Sequence, residues 1–452
     1  MTTPRPVAAI ILAAGKGTRM KSDLHKVLHP IAGRPMIEHL LDSLATLGPE
    51  RTVIVVGNQR EQLEARLAGP GIDFAVQEPQ LGTAHAVRQA EAALAGFEGD
   101  VLLLSGDAPF IRPRTLRLML GALHGEPDAA MVGLGFRPAD AAAYGRIVAG
   151  DDGRIVRIVE HKDASEEERA IGLCNANIFA VRAADLWPLL ARVRNDNAQS
   201  EYYLPDIVNL AVADGRPPLL VECEESEAIG PNSRGEFAAA EALWQERRRA
   251  EAMAEGATLI APETVWFAFD TRLGRDVTIE PNVFFGPGVS IADGARIRAF
   301  SHIEGATIGA GAEIGPYARL RPGTVIGEKA RVGNFVETKK ATLGAGAKAN
   351  HLTYLGDAEV GANANIGAGT ITCNYDGFFK YGTRIGENAF IGSNSALVAP
   401  VSIGAGAIVG AGSVVTRDVE ADALALARGT QEARPGWAAR FRAAMIAKKK
   451  AG

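Results

Sequence analysis

The first half of the chain shows two apolar patterns in alternation. Short runs that are apolar throughout read as strands: "VAAIILAA" (7–14), "RTVIVVG" (51–57), "DVLLLSGD" (100–107), "AAMVGLGF" (129–136), "RIVRIVEH" (154–161) and "NANIFAV" (175–181). Amphipathic segments such as "MIEHLLDSLATLG" and "TLRLMLGALHG" lie between several of them and read as helices. Strands with two apolar faces need cover on both sides, so residues 1–229 predict a mostly parallel sheet sandwiched by helices. Ligands of such sheets bind beyond the C-terminal strand ends.

Residues 234–255, "RGEFAAAEALWQERRRAEAMAE", hold no proline and no glycine after 235, and are rich in Ala, Glu and Arg. They predict one exposed linker helix that Gly256 can end. Beyond it the period becomes six. Apolar residues recur at Phe267, Leu273, Ile279, Phe285, Ile291, Ile297 and Ile303, then at Ile308, Ile314, Leu320, Ile326 and Val332, and again at Ile385, Ile391, Leu397, Ile403, Val409 and Val415. Glycine follows many of them. This is the hexapeptide repeat of a parallel β-helix, whose three-sided coils stack and bury one continuous core.

The period fails in three places. Eleven positions separate Val332 from Leu343, five separate Leu355 from Val360, and nineteen separate Ile366 from Ile385. In or beside these gaps lie Lys339, Lys340, His351, Tyr354, Asn365, Asn374, Tyr375 and Lys380, with Arg321 just upstream. Stacked coils can bring such residues together, and local rules tend to break at functional sites. The cations would suit a phosphate and the histidine could accept a proton from an attacking amine or hydroxyl. A corner histidine and solvated corner lysines are the plainer alternative.

Composition narrows the classes. Hydrophobic residues make up 47% of the 452 and charged residues 22%, as in an ordinary globular protein. A net charge of −5 argues against a general nucleic-acid binder. Cys174, Cys223 and Cys373 are odd in number and contain no CxxC pair, so neither a disulfide framework nor a thiolate metal site is expected, and a reducing cytoplasm is the natural compartment. The N-terminal apolar run is too short to span a bilayer and fits a buried strand entering a loop, so no membrane association is expected.

In the first half "LAAGKGTRM" (12–20) follows the first strand as a glycine-rich turn offering backbone N–H groups to phosphate. It is neither a P-loop nor GxGxxG, and a tight structural turn reads equally well. Arg19 and Lys26 add positive charge nearby. Asp107, ending "LLLSGD", is placed to hold a hard divalent ion or to cap a loop. Gln77, Gly82 and Thr83 in "QEPQLGTAHA" could read a base edge.

The runs "RLRPG", "VGNFVETKK", "HLTYLGDAEVG" and "NIGAGTITCNYDG", together with "LAAGKGTRM", resemble those of the bacterial bifunctional GlmU family over almost the whole chain. That family couples an N-acetylglucosamine-1-phosphate uridyltransferase to a glucosamine-1-phosphate N-acetyltransferase, serving the supply of UDP-N-acetylglucosamine for peptidoglycan and lipopolysaccharide. The resemblance implies a Rossmann-like nucleotidyltransferase domain over 1–229, a linker helix over 230–255 and a left-handed parallel β-helix of acetyltransferase type over 256–452. It implies UTP and UDP-N-acetylglucosamine contacts at Leu12, Ala13, Ala14, Gly15, Lys26, Gln77, Gly82, Thr83, Ser105, Gly106, Asp107, Gly145, Glu160, Asn175 and Asn232. Arg19 and Lys26 would stabilise the transferring phosphate, and Asp107 and Asn232 would hold Mg²⁺. In the second half it implies His351 as general base, Arg321, Lys339, Tyr354, Asn365 and Lys380 as contacts of the acetyl acceptor, and Ala368, Asn374, Tyr375, Ser393, Ala411 and Arg428 as contacts of acetyl-CoA. Homotrimers with a shared CoA site, and small-molecule substrates only, are also implied. This chain departs from many relatives at His25, Ser105 and Phe379, which bears on local contacts. A nucleotidyltransferase with a merely oligomerising β-helix is the rival reading, and His351, Lys339, Arg321 and Tyr354 weigh against it.

Overall fold

The computed structural model describes residues 5–15, 17–141 and 143–451. Lys16, within the glycine-rich turn, and residues 1–4, where the N-terminal reading begins, lie outside the described residues. The chain divides into two compact units after Arg247, within the helix Arg234–Ala254.

In the first unit seven strands lie in the spatial order Leu219–Cys223, Met131–Phe136, Cys174–Arg182, Asp100–Ser105, Val7–Ala13, Arg51–Val56 and Ile72–Val76. All run parallel except Cys174–Arg182, which is antiparallel to both neighbours. A hairpin of Arg146–Ala149 and Ile155–Val159 branches from it. The apolar character on both sides of the strands has the expected cause. Ile10, Val53, Val55, Val101 and Leu103 face one core and Ile11, Ile54, Val56, Leu102 and Leu104 face the other. Helices Met36–Ala45 and Pro113–Gly125 bury Ile37, Leu40, Leu44, Leu116, Met119 and Leu123 in the second of these. The glycine-rich turn and Ser105–Asp107 follow the C-terminal ends of neighbouring strands, the place where parallel sheets hold ligands.

The second unit is a parallel β-helix. Its first face is a ten-strand ladder from Thr258–Leu259 to Leu424–Ala425. The other two faces join where Glu337–Leu343 and Tyr354–Val360 bend across a corner. Of the residues placed inward by the six-residue period, all but Leu273 are buried. The gap between Val332 and Leu343 is a full step of six followed by one of five, not a missing step. Thr338 takes the inward place in register between Leu320 and Leu355, fully buried, and its hydroxyl meets that of Thr324 at 3.0 Å. Thr372 does the same above Leu397. Only the gap before Ile385 is a true insertion: Asn374–Tyr381 leaves the coil as a small hairpin, closed by a Tyr375–Lys380 bridge and a Tyr381 N–H to Asn374 carbonyl bond of 3.0 Å. No described helix is long and apolar enough to cross a membrane.

Candidate active sites

In the first unit a cleft of about 450 Å³ is lined by ten of the predicted nucleotide contacts: Leu12 to Gly15, Lys26, Gln77, Gly82, Thr83, Ser105 and Asp107. Gln77 is buried and its amide donates to the Gly82 carbonyl at 2.9 Å, so the two act as one wall. Gly82 has a φ of 113°, and a Cβ there would strike the Tyr202 backbone, so glycine is required. The Thr83 hydroxyl accepts the Leu204 N–H at 2.9 Å and is thereby tied to the scaffold. Gly106 packs against the Leu12 carbonyl.

At one end of the cleft Lys26 Nζ donates to Asn232 Oδ1 at 2.7 Å and forms an ion pair with Asp107 Oδ2. Ser105 donates to Asp107 Oδ1 at 2.6 Å. Burial pushes the Asp107 carboxyl up, but the ammonium and the hydroxyl outweigh it and hold the group below the usual carboxylate range. Two oxygen donors, one anionic, thus converge on a cation. That donor set is the kind a hard divalent ion takes, and the lysine ammonium stands in for it. Among the described residues no cluster of three or more His, Cys, Asp and Glu offers another metal centre.

Arg19 lies on the exposed 3₁₀ turn Thr18–Met20 and does not line the cleft; its charge acts on Glu236, which accepts the Asn232 N–H at 2.8 Å. Gly145, Glu160 and Asn175 form a separate group. The Asn175 N–H donates to the Gly145 carbonyl at 2.9 Å, and Glu160 lies beside Gly145 with its carboxyl raised by burial and by Asp206 and Asp163. Sequence reading missed Gln80, Ala86, Asn177 and Glu201 in the lining. Gln80, whose amide donates to the Ala14 carbonyl at 2.9 Å, sat within the run already singled out.

In the second unit the site residues other than Asn365 sort onto one face and its two edges. His351 ends the strand Lys348–His351 at one edge. Its ring Nδ1 meets Asn334 Oδ1 of the preceding coil at 2.7 Å. The same edge then carries Ala368, Ser393 and Ala411 on successive coils. They are linked by main-chain bonds from Gly369 to His351, Asn394 to Ala368 and Gly412 to Ser393. Arg428 closes the column, its guanidinium donating to the Ala411 carbonyl at 2.7 Å.

The opposite edge carries the cations. Lys380 and Arg321 lie close enough to Lys339 to lower its pKa, with Lys380 the larger cause. Arg321 also pairs with Glu337 at 2.9 Å. Between the edges, Tyr354 stands in register with Glu337 on the outward face. Asn374 is buried, and its amide donates to Asp357 Oδ2 at 2.6 Å. A Cβ on Gly356 would meet both the Tyr354 hydroxyl and the Asn374 amide, so a larger residue there would have to push these two side chains aside. Tyr375 and Lys380 sit in the hairpin, with the Lys380 ammonium 6.0 Å from the Tyr375 ring centre. Asn365 lies on the first face, paired with Lys348 and Phe390. Asn334, Asp357 and Glu337 were missed although all three lie inside gaps in the six-residue period, because the lysines, the histidine and the tyrosines drew the reading there. Cys373 is exposed beside Asn374.

A nucleotide-sized cleft over a parallel sheet and a hexapeptide β-helix with its own polar face define a nucleotidyltransferase joined to a second transferase. The family models agree: the MobA-like NTP transferase domain matches residues 9–197, and the six-repeat bacterial transferase hexapeptide matches 270–305, 305–340 and 382–417. The protein named bifunctional protein GlmU of Sphingopyxis alaskensis is 67% identical over 99% of this chain and 98% of its own. Those of Novosphingobium aromaticivorans and Zymomonas mobilis are 66% and 58% identical, each over 98% of this chain. The chain belongs to the bifunctional GlmU family, uridyltransferases and acetyltransferases of UDP-N-acetylglucosamine biosynthesis.

Proposed function

We propose that residues 256–452 acetylate glucosamine 1-phosphate with acetyl-CoA and that residues 1–229 transfer UMP from UTP to the resulting N-acetylglucosamine 1-phosphate, with 230–255 as the helical linker. In the acetyl transfer, Arg321, Lys339 and Lys380 bind the sugar phosphate, and Tyr354 and Asn365 contact the sugar. His351 takes the proton that the amine must lose as its nitrogen attacks the thioester carbonyl. The new C–N bond forms, the C–S bond breaks, and CoA leaves as the thiol. Ala368, Ser393, Ala411 and Arg428 hold the CoA along the His351 edge, with Asn374 and Tyr375 at its reactive end.

The observation that carries this reading is the pairing of edges. Three mutually repelling cations, with Lys339 strained enough to be held below its ordinary pKa, face a histidine-headed column across a single sheet face. A dianionic phosphate relieves that repulsion, and an oligomerising scaffold has no use for it.

In the uridylyl transfer, a phosphate oxygen of the sugar attacks the α-phosphorus of UTP in line and pyrophosphate leaves. The turn at 12–15, Gln77, Gly82 and Thr83 orient the nucleotide; Gly145, Glu160 and Asn175 take the sugar and ribose. Lys26 meets the charge that develops on the phosphate, and Arg19, outside the cleft lining in the free chain, would swing in from its exposed turn to share that role. Asp107 and Asn232 would hold Mg²⁺, which supplies charge neutralisation at the phosphates. Support for this is the convergence of the two oxygens on the Lys26 ammonium, a place a divalent ion would take if the ammonium turned to a phosphate.

Both reactions belong to the cytoplasm, where UTP and acetyl-CoA are made. The working form is a homotrimer sharing its CoA sites, a reading supported by Phe378 and Phe379, 86% and 68% exposed on the hairpin beside Lys380. Light scattering that found a single chain per particle would sink it.

His351→Ala should abolish CoA release in a thiol assay with acetyl-CoA and glucosamine 1-phosphate, a loss of about 10²-fold or more. It should leave pyrophosphate release from UTP and N-acetylglucosamine 1-phosphate unchanged. Equal loss of both activities would refute two independent sites.

A further inference from the structure

We infer that Asn334 is the positioning residue that makes His351 a base, by accepting the Nδ1 proton and so leaving the Nε2 lone pair free toward the acceptor. The inference rests on the assignment of His351 as general base made above.

The geometry is tight. Asn334 and His351 end adjacent strands in register, one coil apart, with Asn334 Oδ1 2.7 Å from His351 Nδ1. An amide oxygen can only accept, so the proton in this contact belongs to Nδ1, and the unprotonated nitrogen of the neutral ring is Nε2. Three further bonds fix the corner. The Leu352 N–H donates to the Asn334 carbonyl at 3.1 Å, the Thr353 hydroxyl donates to the His351 carbonyl at 2.8 Å, and the Gly369 N–H reaches that same carbonyl at 3.3 Å. Gly333 lets the two coils approach, because a Cβ there would collide with the Asn350 carbonyl. The histidine is exposed, and Asn334 is the hydrogen-bond partner of its ring among the described residues.

The choice of an amide rather than a carboxylate has a chemical consequence. A neutral acceptor fixes the tautomer and steadies the imidazolium that forms during transfer. An aspartate would do both, but its charge would also favour the protonated ring before substrate arrives. The charged and titratable groups on the packed strands are Arg331 on the preceding coil, Lys348 on the same strand, and Glu337 and Tyr354 on the adjoining face. Among the described residues none has a hydrogen bond or ion pair to the ring.

The test uses the full chain, with uridylyl transfer as the internal control for folding. Nitrogen NMR of histidine-labelled protein, with the His351 signals assigned by their loss in His351→Ala, should show the Nδ1–H tautomer in the native chain and a mixture in Asn334→Ala. Asn334→Ala should lower kcat for acetyl transfer on the order of 10- to 100-fold with KM for both substrates little changed. Asn334→Asp should recover much of that rate but move the acid limb of the pH profile upward by about one unit. An Nε2–H tautomer in the native chain, or pH profiles alike in all three proteins, would overturn the proposal. If His351→Ala stops acetyl transfer while the Asn334 variants leave tautomer and rate untouched, this inference alone falls. If His351→Ala keeps acetyl transfer, the base assignment falls and takes the inference with it.

Discussion

At the scale of single residues, the nucleotide cleft turns on what Lys26 is doing. Its ammonium lies between Asp107 and Asn232, the two oxygens assigned to the metal. A divalent ion entering the free enzyme must first break that ion pair, and apparent affinity falls by the fraction of molecules in which it is already broken. On the proposed reading UTP would remove the obstacle by giving the ammonium a phosphate to move to. Lys26→Met takes away the competitor and the phosphate contact together, so its effects should separate. Mn²⁺ titrated into the enzyme without nucleotide, followed by the electron spin resonance of the free ion, should bind several-fold more tightly to the variant. Uridylyl transfer should meanwhile drop by about 10²-fold, the size of one lost charge-stabilising contact. Unchanged Mn²⁺ affinity would show that the lysine and the ion do not share a place.

At the scale of elements, the periodicities in the sequence foretold the architecture wherever burial alone chose the residues. The five inner strands of the sheet were legible, as were Ile155–Val159 of the hairpin, the helices Met36–Ala45 and Pro113–Gly125, and the inward positions of the coils. The sheet's less buried parts were not. Ile72–Val76 exposes Asp73 and Val76 at the edge, and Leu219–Cys223 is only half-buried, so neither makes a continuous apolar run. Nothing in a strand's own residues marked Cys174–Arg182 as antiparallel, because direction is set by its connections. In the β-helix the period was read as broken at Thr338, where it only changes chemistry. A threonine can fill an inward place if its hydroxyl finds a partner, as it does with Thr324. The site residues stood out in sequence because they were charged or rare in a plain repeat. Asn334 did not, because an asparagine at the end of a coil strand is ordinary; only its register against His351 gives it a role.

At the scale of the whole molecule, the chain carries two compact units, and the residues that one chain gives to each site come from one unit. The first uses sheet ends and loops, the second the edges of a stack in which every coil rests on its neighbours. Stability in such a stack is shared between adjacent coils, so a defect beside the site should be felt along it. Leu355 is fully buried, in register with Thr338 and directly after Tyr354. Leu355→Ala should cost about 2–5 kcal/mol in the β-helix through the cavity it leaves. Because the two units are distinct, calorimetry should show two unfolding transitions, of which one moves down by roughly 10 °C and the other stays. Acetyl transfer should lose activity at the temperature of the shifted transition, and uridylyl transfer at that of the fixed one. A single transition that moves as a whole, with both activities lost together, would mean that the units stabilise each other and that the two chemistries share one cooperative fold.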